Sequence, residues 1–277
     1  MRKTLLFCLC LLSTYLYTSA QERQLVKKWE TDSLMKVPES VLYDAGAKVL
    51  YVTNIDGTDP WAKDGKGSVG RVGLDGKIIE VEWVTGMNSP KGMGLYKGKL
   101  YVADLNNVVV IDVATGKIVE TIVVEGAQGL NDITIDKKGV VYASDSPGAK
   151  VYRIVKGKPE LFLEKLTRPN GLLVRKKEIF VLDNGGLFKV NKDKTLTKIT
   201  DGMEGGTDGI EHVKGKDYIV SCWAGSIWYV SMDGTKINLL DTREKKINTA
   251  DIGYDAKNRV VYVPTFWKNS VVAYELK

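Results

Sequence analysis

A phrase that returns six times constrains this chain more than anything else in it. An aromatic residue flanked by aliphatic ones, often followed by Asp or Asn, reads Leu50-Tyr51-Val52-Thr53-Asn54 and Leu100-Tyr101-Val102-Ala103-Asp104. It returns as Val141-Tyr142-Ala143-Ser144-Asp145 and Ile179-Phe180-Val181-Leu182-Asp183, and in weaker form as Tyr218-Ile219-Val220-Ser221-Cys222 and Val261-Tyr262-Val263-Pro264-Thr265. Such residues suit a pleated, half-buried surface. Upstream of each lies another short strand, opened by Pro38-Glu39, Pro90-Lys91, Leu130-Asn131, Pro169-Asn170, Thr207-Asp208 or Thr249-Ala250. Downstream comes a third strand, such as Val108 to Val113 or Ser226 to Met232. Turns at Asp75-Gly76, Thr115-Gly116 and Asp233-Gly234 lead into a fourth, such as Lys117 to Val124.

The openings are spaced by 52, 40, 39, 38 and 42 residues, the first step being lengthened by a polar insertion from Gly57 to Gly67. Four antiparallel strands recurring at this period mark a propeller blade. The chain is therefore expected to be all-β, a six-bladed β-propeller with four-stranded blades. No stretch carries sustained helical periodicity, and the repeats leave no residues for a second domain. The sixth unit ends with its third strand, Ser270 to Leu276, while Gln24 to Glu30 reads as a spare fourth strand carrying Leu25, Val26 and Trp29. The N-terminal strand is expected to complete the last blade and close the ring, which hides two sheet edges.

Ahead of that strand, Arg2 and Lys3 precede a mostly apolar run from Leu5 to Leu16, and Thr18-Ser19-Ala20 supplies small residues. Residues 1–20 read as a secretory signal peptide cut after Ala20, with the propeller over 21–277, so the protein is expected to be exported, periplasmic or secreted. The run is too short for an ordinary membrane span, and no other stretch approaches one. Neither Phe7 before Cys8 nor Leu9 before Cys10 provides the small residue that a lipoprotein site needs. Removing the segment lowers the net charge from +6 to +4. With no run of five basic residues, nucleic acid is excluded as a partner. A single His (His212) and a single Cys outside the leader (Cys222) exclude zinc fingers, multi-His zinc sites and an intrachain disulfide. Cys222 reads as a small buried strand residue, and His212 as structural.

In a propeller the first strand of each blade lines the central channel, so its opening residue faces the axis near one mouth. Glu39, Lys91, Asn131, Asn170, Asp208 and Ala250 are expected to meet there. Asn170-Gly171 and Asp208-Gly209, taken singly, are ordinary turn pairs. Their register is what carries weight: four oxygen donors fall at the equivalent position of four units. Two buried carboxylates need neutralising. A divalent cation does so, with the amide oxygens in neutral positions. Hard oxygen donors suit Ca2+ first and Mg2+ or Mn2+ next, with Zn2+ not separated from them.

Pro38-Glu39-Ser40, Asn131-Asp132, Pro169-Asn170-Gly171 and Asp208-Gly209 resemble, in order and spacing, the motifs of the regucalcin/gluconolactonase family. These six-bladed propellers are related to paraoxonase and diisopropyl fluorophosphatase, and the likeness spans the whole chain after the leader. It implies that Glu39, Asn170 and Asp208 hold a catalytic calcium or other divalent ion, with Asn131 a further ligand, direct or through water. It also implies hydrolysis of lactones, esters or organophosphates. On that reading the ion polarises a carbonyl and acidifies water, while Asp208 serves as general base or, less favoured, as nucleophile. Facing Glu39 without the ion, Asp208 is expected to have a raised pKa.

One departure bears on substrate. Some sugar-lactone members carry Arg where this chain has Gly129. A small-molecule substrate is expected to touch Asn131, Lys91, Asp183 and Trp223. Asn54, Asp104, Asp145, Asp183, Trp223 and Trp267 are expected to rim the pocket from the ends of the second strands, with the insertion bearing Trp61 either a flap or a surface loop. Lys91 either contacts substrate, balances charge or extends to solvent. The alternative function is a non-catalytic propeller that binds a ligand or protein, its metal structural or absent.

Overall fold

Five repeats each form a four-stranded antiparallel sheet with strands in sequence order, the sixth takes its outer strand from the N-terminus, and the six sheets make a propeller. The computed structural model describes residues 23–277; the leader expected over residues 1–20 lies outside the described residues. Blade three is representative: Leu130–Ile135, Val141–Asp145, Lys150–Val155 and Lys158–Leu163 run from the channel outward. Among the described residues the only helical element is a single 3-10 turn, Phe266–Lys268, and no helix is long and apolar enough to cross a membrane.

Burial grades outward along each blade, which explains why the second strand carries the visible repeat. Val49–Asn54 and Tyr218–Cys222 are buried at every position, whereas the fourth strand Lys117–Val123 is mostly exposed. A strand covered on both faces has no polar side to alternate with, so it reads as a continuous apolar run. The core lies between neighbouring blades. Val49 and Tyr51 of blade one pack with Leu100 and Val102 of blade two. At the closing seam, Tyr262 and Val271 of blade six pack with Val41, Leu50 and Val52 of blade one.

The N-terminal strand Leu25–Glu30 pairs antiparallel with Val271–Leu276 and completes blade six. Its Trp29 lies against Tyr262, with centroids 5.8 Å apart, and donates Nε1–H to Leu74 O of blade one at 2.9 Å. The closing strand therefore also ties blade six to blade one.

Blade six departs from the expected opening at Thr249-Ala250. Its inner strand is only Gly253–Asp255. Just before it, Asp251 pairs with blade one instead: Asp251 N donates to Glu39 O (3.0 Å) and Val41 N donates to Asp251 O (3.1 Å). Ala250 is turned away from the channel and is buried with Ile55 and Phe266.

Candidate functional site

The opening residues of the first five inner strands all sit at irregularities in strand register. In blade four Pro169 pairs with Asp183 and Leu172 with Val181, so the inner strand holds one residue more than its partner. Equivalent shifts occur at Pro38/Ser40, Pro90/Met93, Leu130/Ile133 and Thr207/Ile210. An extra residue bends a strand and re-aims a side chain. Here it turns Glu39, Lys91, Asn131, Asn170 and Asp208 into one cavity at the mouth of the channel, of about 680 Å³.

A bulge frees a backbone N–H, and second-strand hydroxyls take it up. Ser40 N donates to Thr53 Oγ1 (2.9 Å), Asp132 N to Ser144 Oγ (2.9 Å) and Gly209 N to Ser221 Oγ (2.8 Å). These three hydroxyls hold the backbone beside Glu39, Asn131 and Asp208, a role that the repeat pattern does not announce. The signal was present: each directly precedes the residue that ends the phrase, where blades two and four have Ala103 and Leu182.

Asn170-Gly171 and Asp208-Gly209 are not turns. They lie within inner strands, where neighbouring blades crowd at the axis. A Cβ on Gly171 would come within 2.3 Å of Asp208 O, and one on Gly209 within 2.5 Å of Ile252 N. Close backbone approach, rather than turn conformation, accounts for both glycines.

The cavity floor is polar and incompletely satisfied. Glu39 and Asp208 are buried. Asn170 Nδ2 donates to Asp208 Oδ1 at 2.8 Å, which leaves Asn170 Oδ1 buried with no partner; Glu39 Oε2 is likewise buried and unpartnered. Asn131 Nδ2 donates to Ser146 Oγ at 3.0 Å. Burial pushes the Glu39 carboxyl up to about 8, Lys91 opposing the rise and Asp251 adding to it. Asp208 is raised well above the carboxylate range, by burial first and by Glu39 second. The sequence-based expectation credited Glu39 alone, whereas desolvation is the larger cause.

Among the described residues no three of His, Cys, Asp and Glu gather into a metal-binding group. The donor set is instead two carboxylates and two amides. Two of its oxygens lack any hydrogen bond, and native structures rarely tolerate that without a further partner. These oxygens fit a hard cation, and Glu39, Asn131, Asn170 and Asp208 could hold one.

The walls add residues that the repeat pattern did not reveal. Met203, Phe266, Arg168 and the loop Gly202–Gly206 line the cavity together with the expected Trp223 and with Trp61 of the insertion. Gly202, Gly205 and Gly206 all have positive φ, and this glycine cluster directly before Thr207-Asp208 was the available signal. Lys91 does not extend to solvent. It is 2% exposed, donates Nζ–H to Pro60 O at 2.8 Å and lies 4.3 Å from the centre of the Trp61 ring.

Asp183, expected to touch substrate, does not line the cavity. Its carboxylate accepts from Thr167 N and Arg168 N, the two residues leading into the first strand of blade four. Asp104 does the same for Asn88 N and Ser89 N, Asp145 for Gln128 N and Gly129 N, and Asn54 Oδ1 for Lys36 N. The recurring Asp or Asn is thus a latch for the loop that delivers the inner strand of its own blade, not a rim residue. Trp267 also does not line the cavity and meets Phe266 edge to face, with centroids 4.7 Å apart. His212 lies away from the cavity, within 3.2 Å of Gly215 O, and Cys222 is a buried free thiol.

A second polar group lies further along the same channel. Asp132, Glu211 and Asp251 line a narrower space of about 220 Å³. Asp132 accepts from Ile133 N and Leu172 N, and Asp251 from Ser40 Oγ. Burial raises all three carboxyls, Asp251 to about 7 and Glu211 to about 8.

Comparison with known proteins adds likeness of fold. No protein-family model matches the chain, and no curated protein matches it. Among solved structures, a protein assigned as a gluconolactonase superposes with TM-score 0.69 at 16% identity, over 93% of each chain. A streptogramin B lyase gives 0.65 at 12% identity, over 92% of this chain and 98% of the lyase. A chain from a nidogen/laminin complex gives 0.65 at 18% identity, over 79% of this chain and 84% of the other. At these identities the likeness is one of architecture, shared by enzymes and by a protein-binding propeller alike.

Proposed function

We propose that the chain is an exported, divalent-metal-dependent hydrolase that opens a lactone or related small ester, with Asp208 as general base. The observation that carries this reading is the pair of buried, unpartnered oxygens, Glu39 Oε2 and Asn170 Oδ1, on the floor of the cavity that Asp208 also lines. Ca2+ is the first choice on donor chemistry, with Mg2+, Mn2+ and Zn2+ as alternatives. When bound, the ion would supply Lewis acidity to a substrate carbonyl.

The chain's own residues supply orientation and proton transfer. Asn170 holds the Asp208 carboxylate through Oδ1, fixing its plane and leaving Oδ2 for a proton. Burial, with Glu39 second, raises the proton affinity of the Asp208 carboxyl, and its Oδ2 is the atom placed to take a proton from water. Burial of the floor removes competing solvent. The aromatic and thioether walls, Trp61, Trp223, Phe266 and Met203, suit an organic rather than an inorganic substrate. Export rests on the basic, apolar and small-residue order of residues 1–20, and the N-terminal mass of the mature protein checks it.

The test is metal content of the purified protein, followed by a lactone and ester panel with and without chelator. One divalent ion per chain and chelator-sensitive turnover support the proposal. Chelator-insensitive turnover would overturn the metal's role, and a flat response across the panel by folded protein would overturn hydrolysis. The second reading, a binding propeller with a structural metal, draws on Trp223 and Trp267, which stay 38% and 43% exposed around Phe266. Partner binding that depends on these two residues, without turnover, would favour it.

A further inference from the structure

The insertion in blade one and the buried lysine of blade two form one unit whose role goes beyond lining the cavity. Trp61 reaches across to blade three. A Cβ on Gly129 would come within 2.5 Å of the Trp61 ring and 3.0 Å of Pro147 Cγ, so the indole occupies the space a side chain at 129 would need. The insertion is fastened next to Trp61, where Ser89 Oγ donates to Ala62 O at 2.7 Å. Trp61 and Gly129 are therefore complementary: an indole from one blade fills the place that a longer residue on another would take.

Beneath that indole lies Lys91. One of its three N–H groups goes to Pro60 O, and the Trp61 face lies beside the ammonium. Among the described residues no carboxylate lies within 4 Å of Lys91 Nζ as an ion-pair partner. A cation this deeply buried is unfavourable unless an anion meets it. Glu39, Asp208, Asp104 and Asp59 act on Lys91 only through space, and none is a direct partner of its ammonium.

The geometry points to Trp61 and Lys91 as a specificity subsite for a carboxylate carried on an apolar ring or chain. On the hydrolase reading, on which the word substrate rests, the substrate is an anionic hydrophobic lactone or ester rather than a polyhydroxylated sugar lactone. The indole offers apolar contact area and no acceptor for sugar hydroxyls. A free Lys91 N–H supplies the charge-assisted bond that orients the acid group. Trp223 and Phe266 line the cavity from blades five and six, across the ring from Trp61.

The experiment measures binding, so it requires no turnover. 4-Phenylbutanoate, its neutral amide and gluconate are titrated calorimetrically into the full mature protein at neutral pH, with and without chelator. The wild type should bind 4-phenylbutanoate at least about tenfold more tightly than the amide, the size expected of one charge-assisted hydrogen bond. Gluconate should bind weakly or not at all. Lys91→Met should abolish the preference for carboxylate over amide while retaining the amide's affinity. Trp61→Ala should weaken carboxylate and amide alike by about tenfold and keep their ratio, since it removes stacking area rather than charge. Thermal melts establish that each variant is folded, and the Trp61 variant carries the test if the lysine variant is not. Retention of the carboxylate preference in Lys91→Met, or gluconate binding as tightly as 4-phenylbutanoate, overturns the subsite. Binding as expected without turnover of any lactone overturns the hydrolase reading alone, and the subsite stands.

Discussion

The two polar groups of the central channel share the inner strands of blades three and five and the same chemistry, yet they are left in different states. At the mouth, Glu39 Oε2 and Asn170 Oδ1 have no partner and open onto a cavity of about 680 Å³. Further along, Asp132 receives two backbone N–H groups and Asp251 receives Ser40 Oγ, around a space of about 220 Å³. Asn131 and Asp132 are adjacent in sequence and fall on opposite sides of this divide. The lesson is that buried acids do not by themselves mark a binding site. What distinguishes one is polar capacity left unfilled, because an unmade hydrogen bond in a buried place costs more than a made one returns.

The sharpest way to break the comparison is at Asp208. Asp208→Asn should cut lactone turnover by about 10²- to 10⁴-fold, the range for a positioned general base, with the melting temperature unchanged or raised. Unchanged turnover would remove Asp208 from the chemistry. Next in size is Asp132→Ala, which belongs to the filled group. It should lower stability by about 1–3 kcal/mol for each backbone N–H left without its acceptor, read by denaturant unfolding, and leave ion affinity untouched. Loss of ion affinity with stability intact would mean that the two groups have been assigned the wrong way round. Glu39→Gln should weaken calcium binding and diminish the thermal stabilisation that added calcium gives, while costing little in the ion-free protein.

A pH titration separates the groups more finely. Glu211 and Asp251 have folded-state pKa values raised to about 8 and about 7. Between its unfolded and folded pKa each therefore binds more protons folded than unfolded, and stability falls as pH rises through that window. Glu39, Asp132 and Asp208 face the same channel and shift in the same direction, while Lys91, lowered by burial, acts oppositely toward alkaline pH. In chelator the melting temperature should decline from about pH 5 to about pH 8, and calcium should reverse part of the loss. A flat profile would mean that the ionised carboxylates are already accommodated without an ion. The smallest effect is expected at Ser144→Ala, about 1 kcal/mol from the loss of the Asp132 N bond, with no change in metal content.

The architecture was legible because six second strands are buried on both faces and had to repeat an apolar phrase. The closing strand was legible because a blade lacked one strand and the N-terminus held one. The convergence of Glu39, Asn131, Asn170 and Asp208 on one cavity was legible, since a bulge at the head of each inner strand places the same position at the channel mouth. Asp183 was misread because a residue at the end of a second strand satisfies the pattern whether it faces a pocket or latches a loop. Only the Thr167 and Arg168 amides, sixteen and fifteen residues away, decide between the two. The glycines after Asn170 and Asp208 were misread for a related reason. A turn and a crowded strand both select Gly, and the crowding comes from a neighbouring blade.

By itself the sequence determined the all-β class, the number of blades, the closure and the ring of oxygen-bearing residues. Each of these follows from local strand chemistry repeated at a fixed period. Tertiary structure alone decided which buried oxygens are left without partners, that Trp61 fills the space above Gly129 and that Lys91 stays buried beneath it. Those facts depend on distances between blades far apart in the chain, and a periodic pattern carries no information about what faces it across a channel.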